Sequence, residues 1–134
     1  MKLIICLDDK YGMAFFGKRQ SMDQAVCRDI LALSEGHKLW MKEYSAKLFS
    51  GVDAMLCIDE CYLLKAGKND YCFAETDDVN DIAYDAEQII VYKWNRAYPS
   101  DLRFSAELLQ TREKVASVDF SGSSHDKITR EVYR

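Results

Sequence analysis

Two groups of acidic residues in this chain each follow a short apolar run, and carboxylates in that position can do chemistry. Asp8 and Asp9 come directly after residues 3–7, and Asp59 comes directly after residues 54–58. Ligands of open α/β sheets bind outside the carboxyl ends of the strands, where paired carboxylates can hold Mg²⁺ or act as general acid and base. Asp8, Asp9 and Asp59 are therefore the candidate catalytic residues of a hydrolase or nucleotide-processing enzyme. The alternative is that these acids only end strands and face water.

A small basic cluster precedes the segment with the clearest helical periodicity. Ser21 has the position of an N-cap, with Gln24 three residues later as in a capping box, and apolar residues then recur at helical intervals up to Gly36. A helix N-terminus attracts anions through its free N–H groups and its dipole. A small molecule or a nucleotide phosphate is therefore the expected ligand of four neighbouring residues, Lys18, Arg19, Gln20 and Ser21. The alternative is an ordinary helix cap with solvated basic neighbours.

Trp94 and Arg96 combine an aromatic and a cationic side chain close to a bend, followed by Tyr98. Such a surface can stack a base or bind a partner, so both residues are further ligand-binding candidates. Alternatively, Trp94 belongs to the core and Arg96 is an exposed turn residue. His125 lies in a segment rich in serine and glycine, for which the tip of a hairpin is the simpler interpretation.

Histidines and cysteines give no support for a metal or cofactor site. The chain has only two histidines, His37 and His125, far apart in sequence. Cys57 and Cys61 are four residues apart, whereas paired zinc ligands are usually closer and belong to sets of four. The five cysteines are an odd number, mostly within or beside apolar runs, which favours reduced thiols and a cytoplasmic protein over a secreted disulfide framework. We expect no bound metal and no cofactor.

Length and charge limit the classes of partner. With 134 residues the chain predicts a single domain, residues 1–134. Its formal net charge of −4 argues against binding to duplex nucleic acid, which requires clusters of Lys and Arg. No apolar run approaches the length of about 20 residues that a membrane span needs. We therefore expect a cytoplasmic protein that does not bind membranes.

The order of apolar patterns predicts the fold class. Strands are predicted at 3–7, 38–41, 53–59, 71–74 and 89–94, with helices at 21–36 and 43–49, and the acidic stretch 76–87 is a loop or short helix. Residues 114–120 and 127–133 predict two antiparallel strands joined by a turn. Together they indicate an α/β fold with a mixed, mostly parallel sheet, flanking helices and a C-terminal antiparallel hairpin.

In this order the elements resemble a reduced dihydrofolate reductase. Residues 3–13 resemble that family's first strand and following loop, the helix after Ser21 its substrate-side helix, and residues 89–104 and 115–134 its last strands. The family also has a glycine pair after a strand of its second half, through which the backbone approaches the phosphates of the nicotinamide cofactor. This chain has no glycine between Cys72 and Ile89. The resemblance thus implies the scaffold without reductase activity.

A second resemblance is to a group of short bacterial proteins labelled ribonuclease Z. It is carried by three segments: residues 19–21, 92–96 and 125–129. Enzymes of that name hold two zinc ions through a histidine-rich motif, and metal-activated hydrolysis requires several convergent His and carboxylate ligands. Because the chain has no His-x-His motif, we exclude a zinc-nuclease mechanism.

Three functional hypotheses follow from the sequence. The first is a small protein that binds a ligand or partner between the loop 8–17 and the helix start 18–21. The second is an enzyme that uses Asp8, Asp9 and Asp59, and it requires these acids to converge with Arg19 in a concave site. The third is a homodimer, since strands near the end of a chain can pair across a two-fold axis.

Overall fold

A computed structural model describes residues 1–52 and 55–134 of the chain. The strands in these residues are β1 Lys2–Leu7, β2 Gly12–Phe15, β3 Lys18–Arg19, β4 Leu39–Met41, β5 Leu56–Ile58, β6 Tyr71–Phe73, β7 Gln88–Lys93, β8 Leu102–Arg103, β9 Lys114–Phe120 and β10 Ile128–Tyr133. The helices are α1 Gln24–Leu33, α2 Glu43–Ala46, α3 Tyr62–Lys65, α4 Asn80–Ala83 and α5 Ala106–Gln110, and α2 continues into a 3₁₀ turn, Lys47–Phe49.

The main sheet has the strand order β5-β4-β6-β1-β7-β10-β9. The pairs β5–β4, β4–β6, β6–β1 and β1–β7 are parallel, whereas β10 is antiparallel to both β7 and β9. This arrangement confirms the predicted α/β fold, with a mostly parallel sheet, flanking helices and a C-terminal antiparallel hairpin. The short helix α4 lies within the acidic stretch 76–87, as one of the two predicted alternatives.

The central strand β1 is apolar from Leu3 to Leu7 because both of its faces are covered. Leu3 and Ile5 pack on one side of the sheet with residues of β7 and α5, and Ile4 packs on the other side with Ile30 of α1 and Tyr92 of β7. A strand buried on both faces gives a continuous apolar run rather than alternation. The carboxyl end of β1, which Asp8 directly follows, therefore lies between the hydrophobic clusters on the two faces of the sheet.

Helix α1 begins later than the sequence predicts. Its N-cap is Asp23, whose carboxylate accepts a hydrogen bond from the N–H of Ala25 at 2.8 Å. The prediction of Ser21 as the N-cap was wrong, because Asp23 is nearer the helix and offers a charged acceptor. Ser21 instead contacts His125. Of the apolar positions predicted for this helix, Val26 and Ile30 are buried and Leu33 packs against the core, whereas Met22 precedes α1 and is exposed.

The apolar segment after Asp8 is a hairpin rather than a loop. Strands β2 and β3 pair with each other, and β2 also pairs with the distant β8, which gives a separate three-stranded sheet in the order β3-β2-β8. The turn places Phe16 and Gly17 at φ values of 50° and 70°. This sheet could not be predicted because β3 and β8 have only two residues each.

Strand β5 is parallel to β4, as predicted, but it lies at the edge of the sheet. Ile58 is consequently 49% exposed, so the apolar run before Asp59 is not buried in the way that the run before Asp8 is. Asp53 and Ala54, the start of the predicted segment, lie outside the described residues. Among the described residues, no helix combines the length and apolar character that crossing a membrane would require.

Candidate functional site

The two acidic groups predicted to form a catalytic site are not brought together. Asp8 and Asp9 follow β1, Asp59 follows β5, and two strands lie between these positions. Strands β1 and β5 are three strand spacings apart, which corresponds to roughly 14 Å. Asp59 forms an exposed ion pair with Lys65, and Asp9 is exposed. The convergence of these acids with Arg19, which the enzyme hypothesis requires, is absent from the described residues.

Asp8 is a buried carboxylate that holds the turn after β1. It accepts hydrogen bonds from the N–H groups of Lys10 at 2.9 Å, Gly12 at 2.7 Å and Tyr98 at 3.0 Å, and from Nε2 of Gln20 at 3.2 Å. Burial by itself raises the pKa of Asp8, but these donors outweigh it and lower that pKa below its usual value. Because both oxygens of Asp8 already accept hydrogen bonds from the protein, the carboxylate has little capacity to bind a substrate. Gln20 is one of the donors that hold it in place.

Arg19 and Glu75 form a largely buried ion pair at the carboxyl edge of the sheet. The guanidinium donates to both carboxylate oxygens, from Nε at 2.9 Å and from Nη2 at 3.0 Å, so the contact is bidentate. Nη2 also donates to the carbonyl oxygen of Tyr44, whose ring centroid lies 4.1 Å from Cζ of Arg19. Ser45 Oγ donates to Glu75 at 2.8 Å. The position of the guanidinium is thereby fixed.

A groove of about 650 Å³ opens beside this ion pair, between the first turns of α1 and the 3₁₀ turn Lys47–Phe49. Its apolar lining includes Met22, Cys27 and Leu48, and its charged lining includes the cations Arg19 and Lys47 and the carboxylate Asp23. Lys47 is exposed at the rim and forms no ion pair with another described residue. The groove therefore combines an apolar surface with the exposed ammonium group of Lys47, while Arg19 is paired with Glu75 and Asp23 accepts hydrogen bonds from the protein.

The cysteines near the groove are protonated thiols. Burial, followed by the charge of Glu75, raises the pKa of Cys27 to about 11 and raises the pKa of Cys6 well above its usual value. A thiolate, not a thiol, is the nucleophile in cysteine chemistry. Cys27 thus acts as an apolar surface of the groove at neutral pH. Among the described residues, no group of three or more His, Cys, Asp or Glu side chains is arranged to hold a metal ion.

A second polar cluster lies where the β9–β10 turn contacts the start of α1. His125 is almost fully buried, and its Nδ1 lies 3.1 Å from Oδ2 of Asp23. Its Nε2 lies 2.9 Å from the hydroxyl oxygen of Tyr98 and 3.3 Å from Oγ of Ser21. The indole ring of Trp94 stacks on the imidazole with centroids 4.7 Å apart. The ring of His125 is therefore held on its face and at both nitrogens.

Asp23 is the acceptor at the centre of this cluster. Besides the N–H of Ala25, it accepts hydrogen bonds from the N–H and hydroxyl groups of Ser123 and Ser124. Burial favours the protonated form of Asp23, but the donors of Ser123, Ser124, His125 and Ala25 outweigh burial and lower the pKa far below its ordinary value. Gly122 lies so close to this carboxylate that a Cβ atom there would clash with Oδ2 of Asp23.

The residues predicted to bind a ligand are divided between these two clusters and the surface. Arg19 lies in the ion pair, Ser21 and Trp94 contact His125, and Gln20 contacts Asp8. Lys18 and Arg96 are exposed, and the guanidinium of Arg96 lies 5.6 Å from the Tyr98 ring. The sequence-based reasoning missed Glu75 and Tyr44, did not select Asp23, and named Tyr98 only as a neighbour of Trp94 and Arg96. One signal was available: segments 19–21, 92–96 and 125–129, which carried the second resemblance, meet at His125.

The lowered pKa values predict that the protein loses stability in acid. For Asp23 and Asp8 the folded pKa is below the unfolded value of about 4, so their contribution is complete above that value and is lost as the pH falls through the folded pKa. Urea unfolding at pH 7, 5, 4 and 3 should show a decreasing free energy of unfolding below about pH 5. Asp23→Asn should reduce this slope, and an unchanged slope would contradict the assignment.

No protein-family model matches this sequence, and no curated protein matches it. The solved structures do include a similar fold: dihydrofolate reductase from Enterococcus faecalis, determined as a complex with NADP(H) and RAB-propyl, superposes with a TM-score of 0.67. The two chains are 11% identical, and the match covers 99% of this chain and 94% of the reductase. At this identity the comparison shows that the chain has a dihydrofolate reductase-like fold and does not assign a function.

Proposed function

We propose that this protein binds a small anionic molecule with an apolar body in the groove beside Arg19, and that it does not catalyse the reductase reaction. The observation that carries the proposal is the groove itself, which combines an apolar lining with two cationic side chains and one carboxylate, Asp23, whose oxygens already accept hydrogen bonds from the protein. It lies outside the carboxyl ends of parallel strands, where open α/β sheets bind ligands. A volume of about 650 Å³ is within the range of small-molecule sites.

The charges of the groove indicate which end of the ligand each side binds. Glu75 neutralises Arg19, but Nη1 of Arg19 forms no hydrogen bond with the described residues, because the contacts to Glu75 and Tyr44 use Nε and Nη2. This nitrogen and the ammonium group of Lys47 can bind a carboxylate or phosphate. Met22 and Leu48 then cover the apolar part. Arg19 is fixed before binding, so little conformational entropy is lost when it contacts the ligand.

The absence of reductase activity is supported by the connection between β6 and β7. Residues 74–87 contain one four-residue helix, α4, and no glycine. In the family that the fold resembles, a glycine pair in the second half lets the backbone approach the cofactor phosphates. A glycine-free connection offers no such approach, which favours binding without nicotinamide chemistry.

Charge reversal at Lys47 tests the binding proposal. Native mass spectrometry of freshly purified protein should first show whether a ligand is retained, and thermal shift with folates, nucleoside monophosphates and aromatic carboxylates should then find one that raises the Tm. We expect Lys47→Glu to weaken binding of that compound at least tenfold by calorimetry. Lys68→Glu is the matched control and should bind like the wild type, because Lys68 lies in the loop before β6, at the amino ends of the parallel strands. Equal binding by both variants would contradict the proposed site, and a ligand-free protein with no shift would contradict the function.

Self-association is a separate proposal that rests on strand β9. This strand is at the edge of the main sheet and most of its residues are exposed, including Val115 and Val118 at 41% and 43%. An edge strand can pair with a second copy through its free backbone groups. The same native mass spectra report the oligomeric state, and Val118→Lys should dissociate a dimer formed in this way.

We also propose a cytoplasmic location, supported by the five free cysteines.

A further inference from the structure

We propose that Ser21, His125 and Asp23 form a nucleophilic relay that hydrolyses acyl esters, adjacent to the groove beside Arg19, which Asp23 also lines. Serine nucleophiles are recognised by geometry, namely a hydroxyl within reach of one imidazole nitrogen and a carboxylate on the other. Here the distances are 3.3 Å from Ser21 Oγ to Nε2 and 3.1 Å from Nδ1 to Asp23 Oδ2. The three residues come from the segment before α1, the N-cap of α1 and the β9–β10 turn.

The surroundings of His125 hold the imidazole in the orientation that general-base catalysis requires. The carboxylate of Asp23 accepts the proton on Nδ1, which leaves the lone pair on Nε2 directed at the hydroxyl groups. Trp94 covers one face of the ring. Asp23 is itself fixed by backbone N–H groups of the turn. Asp23 is therefore a positioning residue, and Ser21 and His125 are the reacting groups.

Two hydroxyl groups compete for Nε2, and this competition gives Tyr98 a function. Tyr98 is closer to Nε2 than Ser21 is, and the two hydroxyl oxygens are 3.4 Å apart. Only one of them can donate to the single lone pair at a time. When Ser21 donates, the hydroxyl proton of Tyr98 is released and can be donated to the carbonyl oxygen of a bound ester. Such donors stabilise the oxyanion that forms during acyl transfer.

The reaction balances with water as the only co-substrate. Oγ of Ser21 forms a bond to the carbonyl carbon while its proton moves to Nε2 of His125. The carbon–oxygen bond to the leaving group then breaks, and the alcohol departs with that proton. Water attacks the acyl-serine with His125 as base, which releases the carboxylic acid and restores Ser21.

A groove of about 310 Å³ beside Tyr98 indicates the class of ester. Phe15, Phe16 and Pro99 provide an apolar and aromatic surface, and Lys18 provides a positive charge. Arg19 and Gln20 also line it, and Gln20 is next to Ser21 in sequence, whereas Ser21 and His125 are not lining residues, so Tyr98 is the member of the His125 cluster that faces the groove. The groove therefore fits an ester with a short apolar or aromatic part, for which p-nitrophenyl acetate is a suitable probe.

Covalent labelling with a fluorophosphonate tests the relay. This reagent forms a phosphorus–oxygen bond to an activated serine as fluoride leaves. We expect one adduct per chain by intact mass, located at Ser21 by peptide mapping, and absent from Ser21→Ala and from heat-unfolded protein. Ser50→Ala, an exposed serine elsewhere, is the control and should label like the wild type. Labelling of His125→Gln should be at least 100-fold slower, and Tyr98→Phe should hydrolyse p-nitrophenyl acetate at least tenfold more slowly.

Absence of label on Ser21, or equal labelling of native and unfolded protein, would overturn the proposal. Circular dichroism melting of Ser21→Ala checks that the variant folds. For Asp23, the nitrogen-15 chemical shifts of the imidazole report the tautomer: they should show a proton on Nδ1 in the wild type and a changed tautomer in Asp23→Asn. An unchanged tautomer would contradict the positioning role. Because the Arg19 groove is tested by ligand binding, failure of either test leaves the other interpretable.

Discussion

Asp23→Ala should lower the free energy of unfolding by about 3 to 5 kcal/mol, since it removes a helix cap worth about 1 kcal/mol and leaves three partly buried donors without their acceptor, at about 1 kcal/mol each or slightly more. The donors are the N–H groups of Ser123 and Ser124 and Nδ1 of His125. Partial relaxation of the turn limits the total. Urea unfolding at pH 7 measures the change, and an unchanged slope with denaturant would show that only stability is altered.

Asp126→Ala is the matched control for this prediction. Asp126 is an exposed acid in the same turn and forms no hydrogen bond through its side chain within the described part of the chain. Its replacement should change stability by no more than about 0.5 kcal/mol. A small effect of Asp23→Ala, comparable to that of Asp126→Ala, would show that the turn is not anchored to α1 through this carboxylate.

Glu75→Gln should destabilise the protein by about 3 to 5 kcal/mol, because it leaves the guanidinium of Arg19 buried without its counter-ion. The glutamine has nearly the same shape, so the change isolates the charge. Chemical denaturation at pH 7 and thermal melting both measure the loss. The exposed pair of Asp59 and Lys65 provides the comparison, and Asp59→Asn should leave the unfolding midpoint unchanged.

A double replacement distinguishes a buried charge from lost packing. Arg19→Met combined with Glu75→Leu removes both charges while keeping most of the volume, and apolar replacement of a buried ion pair is often neutral or stabilising. The double variant should therefore be more stable than Glu75→Gln alone. It should also bind the groove ligand more weakly, since Nη1 of Arg19 is lost. A double variant no more stable than Glu75→Gln would show that packing, not charge, dominates.

The elements that could be predicted from sequence are those whose pattern is local. The apolar run of β1 indicates burial on both faces, and the alternating stretches at β9 and β10 were placed within a residue of their bounds. The start of α1 was misplaced, because both Ser21 and Asp23 are good capping residues and the choice depends on the distant turn at Ser123 and Ser124. Local pattern cannot report a partner that lies about a hundred residues away.

The candidate site depends on strand order, which the sequence does not reveal. Asp8 and Asp59 both follow apolar runs, yet β4 and β6 separate their strands. Arg19 and Glu75 meet because β6 is adjacent to β1, and neither residue has a local signal that identifies the other. Residues 18–21 were predicted to bind one ligand together. Because β3 is a strand, neighbouring side chains point in opposite directions and have different surroundings.

The pairing of the central strand has a consequence for the rate of folding. Lys2 of β1 pairs with Gln88 of β7, and Leu3 pairs with Cys72 of β6. The contacts of the central strand therefore join segments that are far apart in sequence. Loop closure must precede the gain from such contacts, and chains dominated by distant pairings fold in about milliseconds to seconds rather than microseconds. We therefore expect replacements in the β1–β7 core to slow refolding, whereas replacements in the Asp23 cluster mainly accelerate unfolding.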